Sequence, residues 1–552
     1  MSDARDGLSA DQSRVLSLVM GGASVFFTGN AGTGKTYLLD RIVWALRAKH
    51  GDAFCDKVAV TATTGIAATQ ISGTTLNSAL GVGAPSLYRD FRNMHRPQNR
   101  TRVRRWETLI IDEISMLSGE FFETMEANLR EVRDSGLPAG GLQLVLAGDF
   151  FQLPPVTKPV IAGNTPADAF LNFGYTFQCP AWRGCGLRHE VLTEVFRQRD
   201  AAFVALLDAV RGCDATAARK AVRRIVRACG RPLDTGDTGI KPTQVFSRNK
   251  DVDDMNAREM ARLGAATSTF AGVDEVQVQP TLRDTTMAGE AVNRLRRSEF
   301  FRDCMAGARL ELAVGAQVML LKNMGAGTGL VNGSRGVVTA FVPKDAATPP
   351  ATAAARSDAA RWPGSLIPVV RFANGVTMEV WPTKFTTTVH GSGECSRVQV
   401  PLKLAWAITI HKSQGMSLDF VRVSLRSMFA VGQAYVALSR ARTMEGLEIL
   451  DWEENCARTD PAVVAFHTAM CAARDANIGG KDDDDDGHDR HDSGSAQALE
   501  GEESQDPAWT KWKALRAAAV PVKKRPSSSA ATAATAASAA TQLDIRSMFV
   551  RL

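Results

Sequence analysis

The stretch Gly29-Asn30-Ala31-Gly32-Thr33-Gly34-Lys35-Thr36 constrains this chain more than any other. The apolar run Ala23–Thr28 before it reads as a buried parallel strand. After it, Tyr37–Leu46 carries apolar residues at helical spacing. A strand, a glycine-rich turn and a helix start make the context of a phosphate-binding loop. The glycines let backbone N–H groups wrap an anion without Cβ clashes, and the helix N-terminus faces it. In that reading Gly29, Asn30, Ala31, Gly32, Thr33 and Gly34 form the cradle. Lys35 reaches the β- and γ-phosphates, and the Thr36 hydroxyl holds Mg²⁺.

A second apolar strand, Thr108–Ile111, ends in Asp112 and Glu113. Two acids at a strand end are often a surface corner. Beside a phosphate loop they read as a site: Asp112 serving Mg²⁺ through its water shell, Glu113 polarising an attacking water. A third strand, Leu142–Ala147, leads into Gly-Asp-Phe-Phe-Gln-Leu-Pro-Pro, where Gln152 stands just outside the strand end. That is where a γ-phosphate sensor would sit. Alternating strands and helices imply a parallel sheet with ligands at its carboxyl edge.

Residues 8–20 predict a helix with Ser9 as N-cap. Gln12 within it is a solvated polar residue or, through its donor-and-acceptor amide, an adenine contact. Thr64, Thr75 and Asn77 fall in hydroxyl-rich turns after strands and read equally as helix caps or phosphate-backbone contacts. Residues 84–106 are polar and carry seven of the arginines, from Arg89 to Arg105. They form a solvated loop or a nucleic-acid contact. Arg197 follows Leu192-Thr193-Glu194-Val195-Phe196, and Arg440 lies at the polar end of Gly432–Arg442. Arg197 is a surface ion-pair partner or a stabiliser of transferring phosphate.

A second α/β region begins near Pro242, and short strands with glycines from Leu312 suggest a small inserted β-barrel. Residues 343–361, rich in Ala and Pro, read as a loop within it. The α/β pattern resumes at Leu402 and ends in the polar cluster His411-Lys412-Ser413-Gln414-Gly415. After about residue 467 the text turns low-complexity, with the Asp482–Asp486 run and an Ala/Ser/Thr stretch, and predicts disorder. Within it, Lys523-Lys524-Arg525-Pro526 has the form of a nuclear import tag. The terminal Gln542, Ile545, Met548 and Phe549 stand at the spacing of a sliding-clamp-binding peptide, with Met548 where an aromatic is usual. A frayed tail is the competing reading.

The whole chain has 552 residues and a formal charge of +6, enough for several domains and compatible with an anionic partner. Its nine cysteines are scattered without a C-x-x-C pair, so neither a zinc site nor a disulfide framework is expected. No apolar run has membrane-span length, and the N-terminus has no signal-peptide core. The expected setting is intracellular, the nucleus ahead of the mitochondrion, with no membrane partner.

In order along residues 29–442 come GNAGTGKT, TATTGIAA, GTTLNS, IIDEISML, GDFFQLPPV, EVFRQRD, GLVNGSRG, LAWAITIHKSQGMSLD and GQAYVALSRAR, within a stretch of likeness covering roughly residues 8–466. Together they resemble the PIF-type (petite-integration-frequency) DNA helicases, of the 5′→3′ branch of helicase superfamily one. The resemblance implies an α/β fold of two RecA-like P-loop domains with parallel sheets, residues 1–190 and 191–314 plus 404–466. It also implies an SH3-like subdomain at 315–403, leaving 467–552 as a disordered tail.

It implies ATP and Mg²⁺ as cofactors, with Gln12 reading adenine and Gly415 also at the nucleotide. Gln152 becomes the γ-phosphate sensor, and Arg197 and Arg440 become arginine fingers from the second domain. Thr64, Thr75, Asn77, Ser247, Asn249, His411 and Lys412 become single-stranded DNA contacts. The implied activity is unwinding of tailed duplex by a monomer, in repair, recombination, replication or telomere maintenance. The polarity comes from the resemblance alone. Ala430-Val431 departs from the acidic residue that the family often places before Gly432. Rival readings are a DNA translocase that remodels complexes, a clamp-recruiting DNA-binding scaffold, and a metabolic P-loop kinase. The kinase leaves Arg197, Arg440 and the DNA-facing segments without a role.

Overall fold

The computed structural model describes residues 7–479, except 72, 159–167, 199, 213, 234–239, 279–287, 299, 323, 325–329, 331–332, 351, 390–392 and 427. The clamp-like peptide, the basic tag and the polyaspartate run lie outside the described residues.

The first sheet has six parallel strands: β1 (Val25–Gly29), β2 (Val58–Ala62), β3 (Thr74–Thr75), β4 (Thr108–Asp112), β5 (Gln143–Ala147) and β6 (Arg188–Leu192). Their order is β3-β2-β4-β5-β1-β6. Every residue of β1 and β4 is buried, as continuous apolar runs covered on both faces must be. The phosphate loop leaves β1, and the helix Lys35–His50 begins directly after Gly34. That helix buries Leu38, Leu39, Ile42 and Leu46 against the sheet. The expected first helix is Ala10–Met20, and Ser9 caps it. The Ser9 hydroxyl accepts from the Gln12 N–H at 3.2 Å, and Gln12 Oε1 accepts from the Ser9 N–H at 3.0 Å, a reciprocal capping box.

The second parallel sheet, of order β18-β7-β19-β20, comprises β7 (Thr243–Phe246), β18 (Ala407–Thr409), β19 (Val421–Leu425) and β20 (Leu447–Trp452). Between β7 and β18 in sequence lie three antiparallel sheets. One pairs β8 (Thr267–Ala271) with β10 (Arg309–Ala313). A five-stranded sheet runs β14 (Thr377–Glu379), β13 (Leu366–Phe372), β12 (Arg335–Pro343), β11 (Gln317–Leu320), β17 (Leu402–Leu404). A three-stranded one joins β15 (Thr383–Val389), β16 (Gly393–Gln399) and β9 (Val273–Val278).

Three sequence-based boundaries shift. The first sheet does not stop at residue 190, because Thr28 and Gly29 of β1 pair with Val191 and Leu192. The antiparallel unit reaches back to Thr267, because β9 bonds β16 across a long sequence gap. The Ala/Pro-rich loop contains the helix Ala353–Arg361, whose first turn the Thr352 hydroxyl caps.

The largest correction is at the C-terminus, where a helix, Pro461–Gly479, continues past the expected limit of order and docks on the first domain. Its Val463 and Met470 are buried in that domain's core. Phe466 stacks on Phe177 with centroids 4.4 Å apart and touches His189 and Trp182. Val463, Phe466 and Met470 recur at i, i+3 and i+7, the spacing of one helix face.

Two histidines in this seam are held neutral. Burial pushes His189 down to about 4, and burial, with Arg211 next, pushes His467 down to about 4. The unfolded chain takes up these protons near the ordinary 6.5, so the two imidazoles contribute stability fully above that value. The contribution is lost as pH falls from 6.5 toward about 4. Urea midpoints are therefore expected to drop between about pH 7 and about pH 5, and His189→Phe is expected to flatten that drop. Equal pH slopes in the two chains would contradict the assignment.

Candidate functional site

The loop closes on itself and on its neighbours. Gly32 has φ 93°, in the left-handed region, and a Cβ there would lie 2.7 Å from Arg197 Cβ. Glycine therefore serves both conformation and close approach. Lys35 Nζ donates to the Gly29 carbonyl at 2.7 Å and the Asn30 carbonyl at 3.1 Å. Burial lowers its proton affinity, and Asp149 and Glu113 pull it back upward. Gln12 is buried, and its amide donates to the Thr33 carbonyl at 3.2 Å. Gln12 is thus no solvated helix residue but a brace between the capped helix and the loop.

Asp112, buried, and Glu113, partly buried, leave β4 as an adjacent acidic pair. Burial, then the neighbouring Glu113, pushes the Asp112 carboxyl up, and burial does the same to Glu113. Asp112 Oδ1 accepts the Glu113 N–H at 2.8 Å. Glu113 has φ 55°, an uncommon left-handed conformation for a residue with a side chain. The donor set of Asp112 carboxylate and Thr36 hydroxyl is all hard oxygen, and a divalent cation would offset the crowding of two adjacent acids. The residues therefore fit Mg²⁺. No cluster of three His, Cys, Asp or Glu side chains able to hold a metal occurs among the described residues. The remaining ligands would be phosphate oxygens and waters.

Asp149, after β5, is fully buried. Burial alone would raise its carboxyl, but Arg211 and Lys35 outweigh burial and hold it below the usual range. Arg211 Nη2 donates to Asp149 Oδ1 at 3.0 Å, and Gln152 Nε2 donates to Oδ2 at 3.3 Å. The Arg211 guanidinium also lies 3.9 Å from the Phe151 ring centroid, and the His467 ring meets Phe151 edge-on at 5.1 Å.

Arg211 ends the helix Ala201–Arg211 of the second domain, so this contact crosses the cleft. Further contacts do the same. Asn30 Nδ2 donates to Asp208 at 2.5 Å, and the Ala31 N–H donates to the Tyr435 hydroxyl at 2.8 Å. Gln198 Nε2 donates to the Ser439 and Ala441 carbonyls at 3.2 and 3.0 Å. Gln414 Nε2 donates to Glu113 Oε2 at 2.8 Å. Gly432, φ 73°, sits so close that a Cβ would lie 2.3 Å from the Gln152 carbonyl oxygen.

The two candidate fingers differ. Arg197 follows β6 of the first sheet and rests on the loop, so it does not come from the second domain as expected. Its neighbour Phe196 donates its N–H to the Gly32 carbonyl at 2.8 Å, and Arg197 Nη1 reaches the Ser439 carbonyl at 3.2 Å. Arg440 is buried, and burial, with Arg197 next, brings its guanidinium down to about 9. Its hydrogen bonds go to Val436, Ser413, Met416 and Ser439, all within the second domain. Gly415, expected at the nucleotide, packs instead against the Gln70 side chain.

Each of the seven expected DNA contacts lies at or just after the carboxyl end of β2, β3, β7 or β18. Two are also caps: the Thr64 hydroxyl accepts from Ala67 N–H at 3.2 Å and that of Thr75 from Ser78 N–H at 3.3 Å. Asn77 Nδ2 donates to the Gly83 carbonyl at 2.6 Å. Ser247 and His411 are half-buried, and Asn249 and Lys412 are exposed. In the basic stretch, Arg102 and Arg104 bond the carbonyls of Ala79 and Val132, while Arg92, Arg96 and Arg100 face solvent. Sequence reasoning passed over Asp149, Arg211, Tyr435, Asp208, Thr63 and Gln414. The first was legible as an acid directly after a strand beside a phosphate loop. The others are ordinary residues until the second domain folds against the first.

The model of the PIF1-like helicase family matches residues 7–205, and that of the 2B domain of DNA helicase Pif1 matches residues 300–341. The ATP-dependent DNA helicase PIF1 of Rattus norvegicus is 38% identical over 488 residues, covering 88% of this chain and 67% of that protein. The chain belongs to the PIF1-like helicase family. It spans about two thirds of the length of the curated PIF1 relatives it matches. The crystal structure of the Pif1 helicase from Candida albicans superposes with a TM-score of 0.62 at 33% identity, covering 84% of this chain and 99% of that one. The Bacteroides Pif1 helicase in complex with ADP-AlF3 and ssDNA superposes with a TM-score of 0.55 at 27% identity, covering 84% and 97%.

The Asp149–Arg211 pair yields a stability test. Arg211→Met leaves a buried carboxylate without its counter-charge, which is expected to cost about 3–5 kcal/mol in chemical unfolding. Asp149→Asn in the same chain is expected to recover much of that. An Arg211→Met protein as stable as the parent would show that the pair is not the anchor described here.

Proposed function

We propose that this chain is an ATP-dependent DNA helicase that translocates 5′→3′ on single-stranded DNA and unwinds tailed duplex. The observation that carries the reading is the cleft itself. The phosphate loop and Glu113 belong to one parallel sheet, and each is hydrogen-bonded by side chains of the other. The relatives' names and the Bacteroides complex support the nucleotide and DNA assignments.

In this reading the loop N–H groups and Lys35 hold the β- and γ-phosphates. Bound Mg²⁺, on Asp112 and Thr36, supplies charge neutralisation at the phosphates. Glu113 orients the attacking water and takes its proton. Gln152 reads the γ-phosphate and Arg197 stabilises developing charge. Arg440 acts as a second finger by turning its guanidinium out of the second domain toward the loop. Gain and loss of the γ-phosphate change the contacts across the cleft, and the sheets move relative to each other. Thr64, Thr75 and Asn77 grip the strand on one side and Ser247, Asn249, His411 and Lys412 on the other, so alternating grips advance the protein. The exposed arginines at 92, 96 and 100 face the duplex junction. A sliding clamp is a further proposed partner, through Gln542, Ile545, Met548 and Phe549.

The test is ATP hydrolysis with and without single-stranded DNA, with unwinding of 5′-tailed and 3′-tailed duplexes in parallel. DNA-stimulated hydrolysis and unwinding from the 5′ tail alone are expected. Both should be lost in Lys35→Ala and fall at least about a hundredfold in Glu113→Gln, which lacks the base. Stimulated hydrolysis without unwinding would leave a translocase, and no stimulation would leave the scaffold.

A further inference from the structure

Glu113 is gripped at two points by two segments far apart in sequence. At its backbone, Thr63 Oγ1 donates to the Glu113 carbonyl at 2.9 Å, and the Thr63 N–H donates to the Asp112 carbonyl at 3.2 Å. At its side chain, Gln414 Nε2 donates to Glu113 Oε2 at 2.8 Å. A left-handed backbone such as that of Glu113, φ 55° and ψ 44°, persists only where surrounding contacts over-determine it. These bonds supply that determination.

The placement of the two gripping residues is what gives them a role. Thr63 immediately precedes Thr64, which starts the helix Gly65–Gln70. Gln414 follows the short helix Ile410–Ser413, which carries His411 and Lys412. Each gripping residue is thus attached to a segment at the strand-facing edge of its own domain. The two segments also meet: Gly415, next to Gln414, packs on the Gln70 side chain at the end of the helix that Thr64 begins. Gln414 is buried, and its Oε1 has no hydrogen-bond partner, so its one anchored end is the bond to Glu113. A shift of either segment is transmitted to Glu113 through a single hydrogen bond, with no intervening side chain.

We propose that Thr63 and Gln414 are positioning residues through which single-stranded DNA, bound at the segments they belong to, sets the place of the Glu113 carboxylate and so the rate of hydrolysis. This rests on the helicase reading above. In this proposal each acts through Glu113, to which its hydrogen bond runs. DNA at His411 and Lys412 moves the Gln414 amide, DNA at Thr64 moves the Thr63 hydroxyl, and both motions converge on one carboxylate.

The experiment is the ratio of kcat for ATP hydrolysis with and without an oligothymidylate. It is measured with KM for ATP and the oligonucleotide's affinity in the full chain and in Gln414→Ala, Thr63→Val and Thr63→Ser. The ratio is expected to fall at least about fivefold in Gln414→Ala and Thr63→Val, the worth of one hydrogen bond to a charged or strained group. KM and oligonucleotide affinity are expected to stay within about twofold, since neither residue binds ligand. Thr63→Ser keeps the hydroxyl and is expected to keep the ratio. If Gln414→Ala does not fold, the Thr63 pair decides. An unchanged ratio in Thr63→Val, or a Thr63→Ser protein as uncoupled as Thr63→Val, would overturn the proposal. A wild-type chain without DNA stimulation would instead overturn the helicase reading, and this proposal with it.

Discussion

Burying a charge is costly unless a partner meets it in place. Lys35, Asp112, Glu113, Asp149, Arg211 and Arg440 are all largely removed from water within one cleft. Two of these groups meet a side chain from the other domain. Arg211, crossing from the second domain, together with Lys35 holds the Asp149 carboxyl below the usual range, and Glu113 receives its side-chain hydrogen bond from Gln414. The electrostatics of the site are therefore a property of the closed pair of sheets. That is what a machine needs if domain motion and chemistry are to be inseparable.

Much of this was legible in the residues. Parallel strands 25–29, 108–112 and 143–147 follow from apolar runs too continuous for a half-exposed sheet. The loop, the acid pair and Gln152 follow from their places just after those runs. Ser9 was legible as a cap, but the sequence left Gln12 as a solvated residue or an adenine contact, and spacing does not reveal that it closes the cap and braces the loop. What stayed hidden depends on residues meeting across long sequence gaps. Arg211 reads as the last residue of an amphipathic helix, and Gln414 as part of a polar turn. Their roles come from packing of one domain on another, and no local pattern encodes that.

The errors have the same origin. The edge at residue 190 cut a strand because Arg188–Leu192 is exposed at its start and buried only at Val191 and Leu192, a weak strand signal. The antiparallel unit appeared to begin near 315 because β8 and β9 are polar, with partners more than a hundred residues onward for β9. The C-terminal helix was lost to composition. Val463, Phe466 and Met470 are three apolar residues in a region about to become low-complexity, and only the groove around Phe177, Trp182 and His189 shows what they are for.

That helix has a mechanical consequence. The chain leaves the first sheet after Leu192, builds the second domain and the antiparallel unit, and then returns to the first domain at Pro461. Two bodies joined by a single thread can swivel about it in any direction. Bodies joined by two threads, as a door is by two pins, keep one easy axis of rotation. Connections near Thr193 and Asp460 would therefore steer the second sheet along an arc instead of letting it tumble. The same few cleft contacts would then be broken and remade in the same order on every stroke.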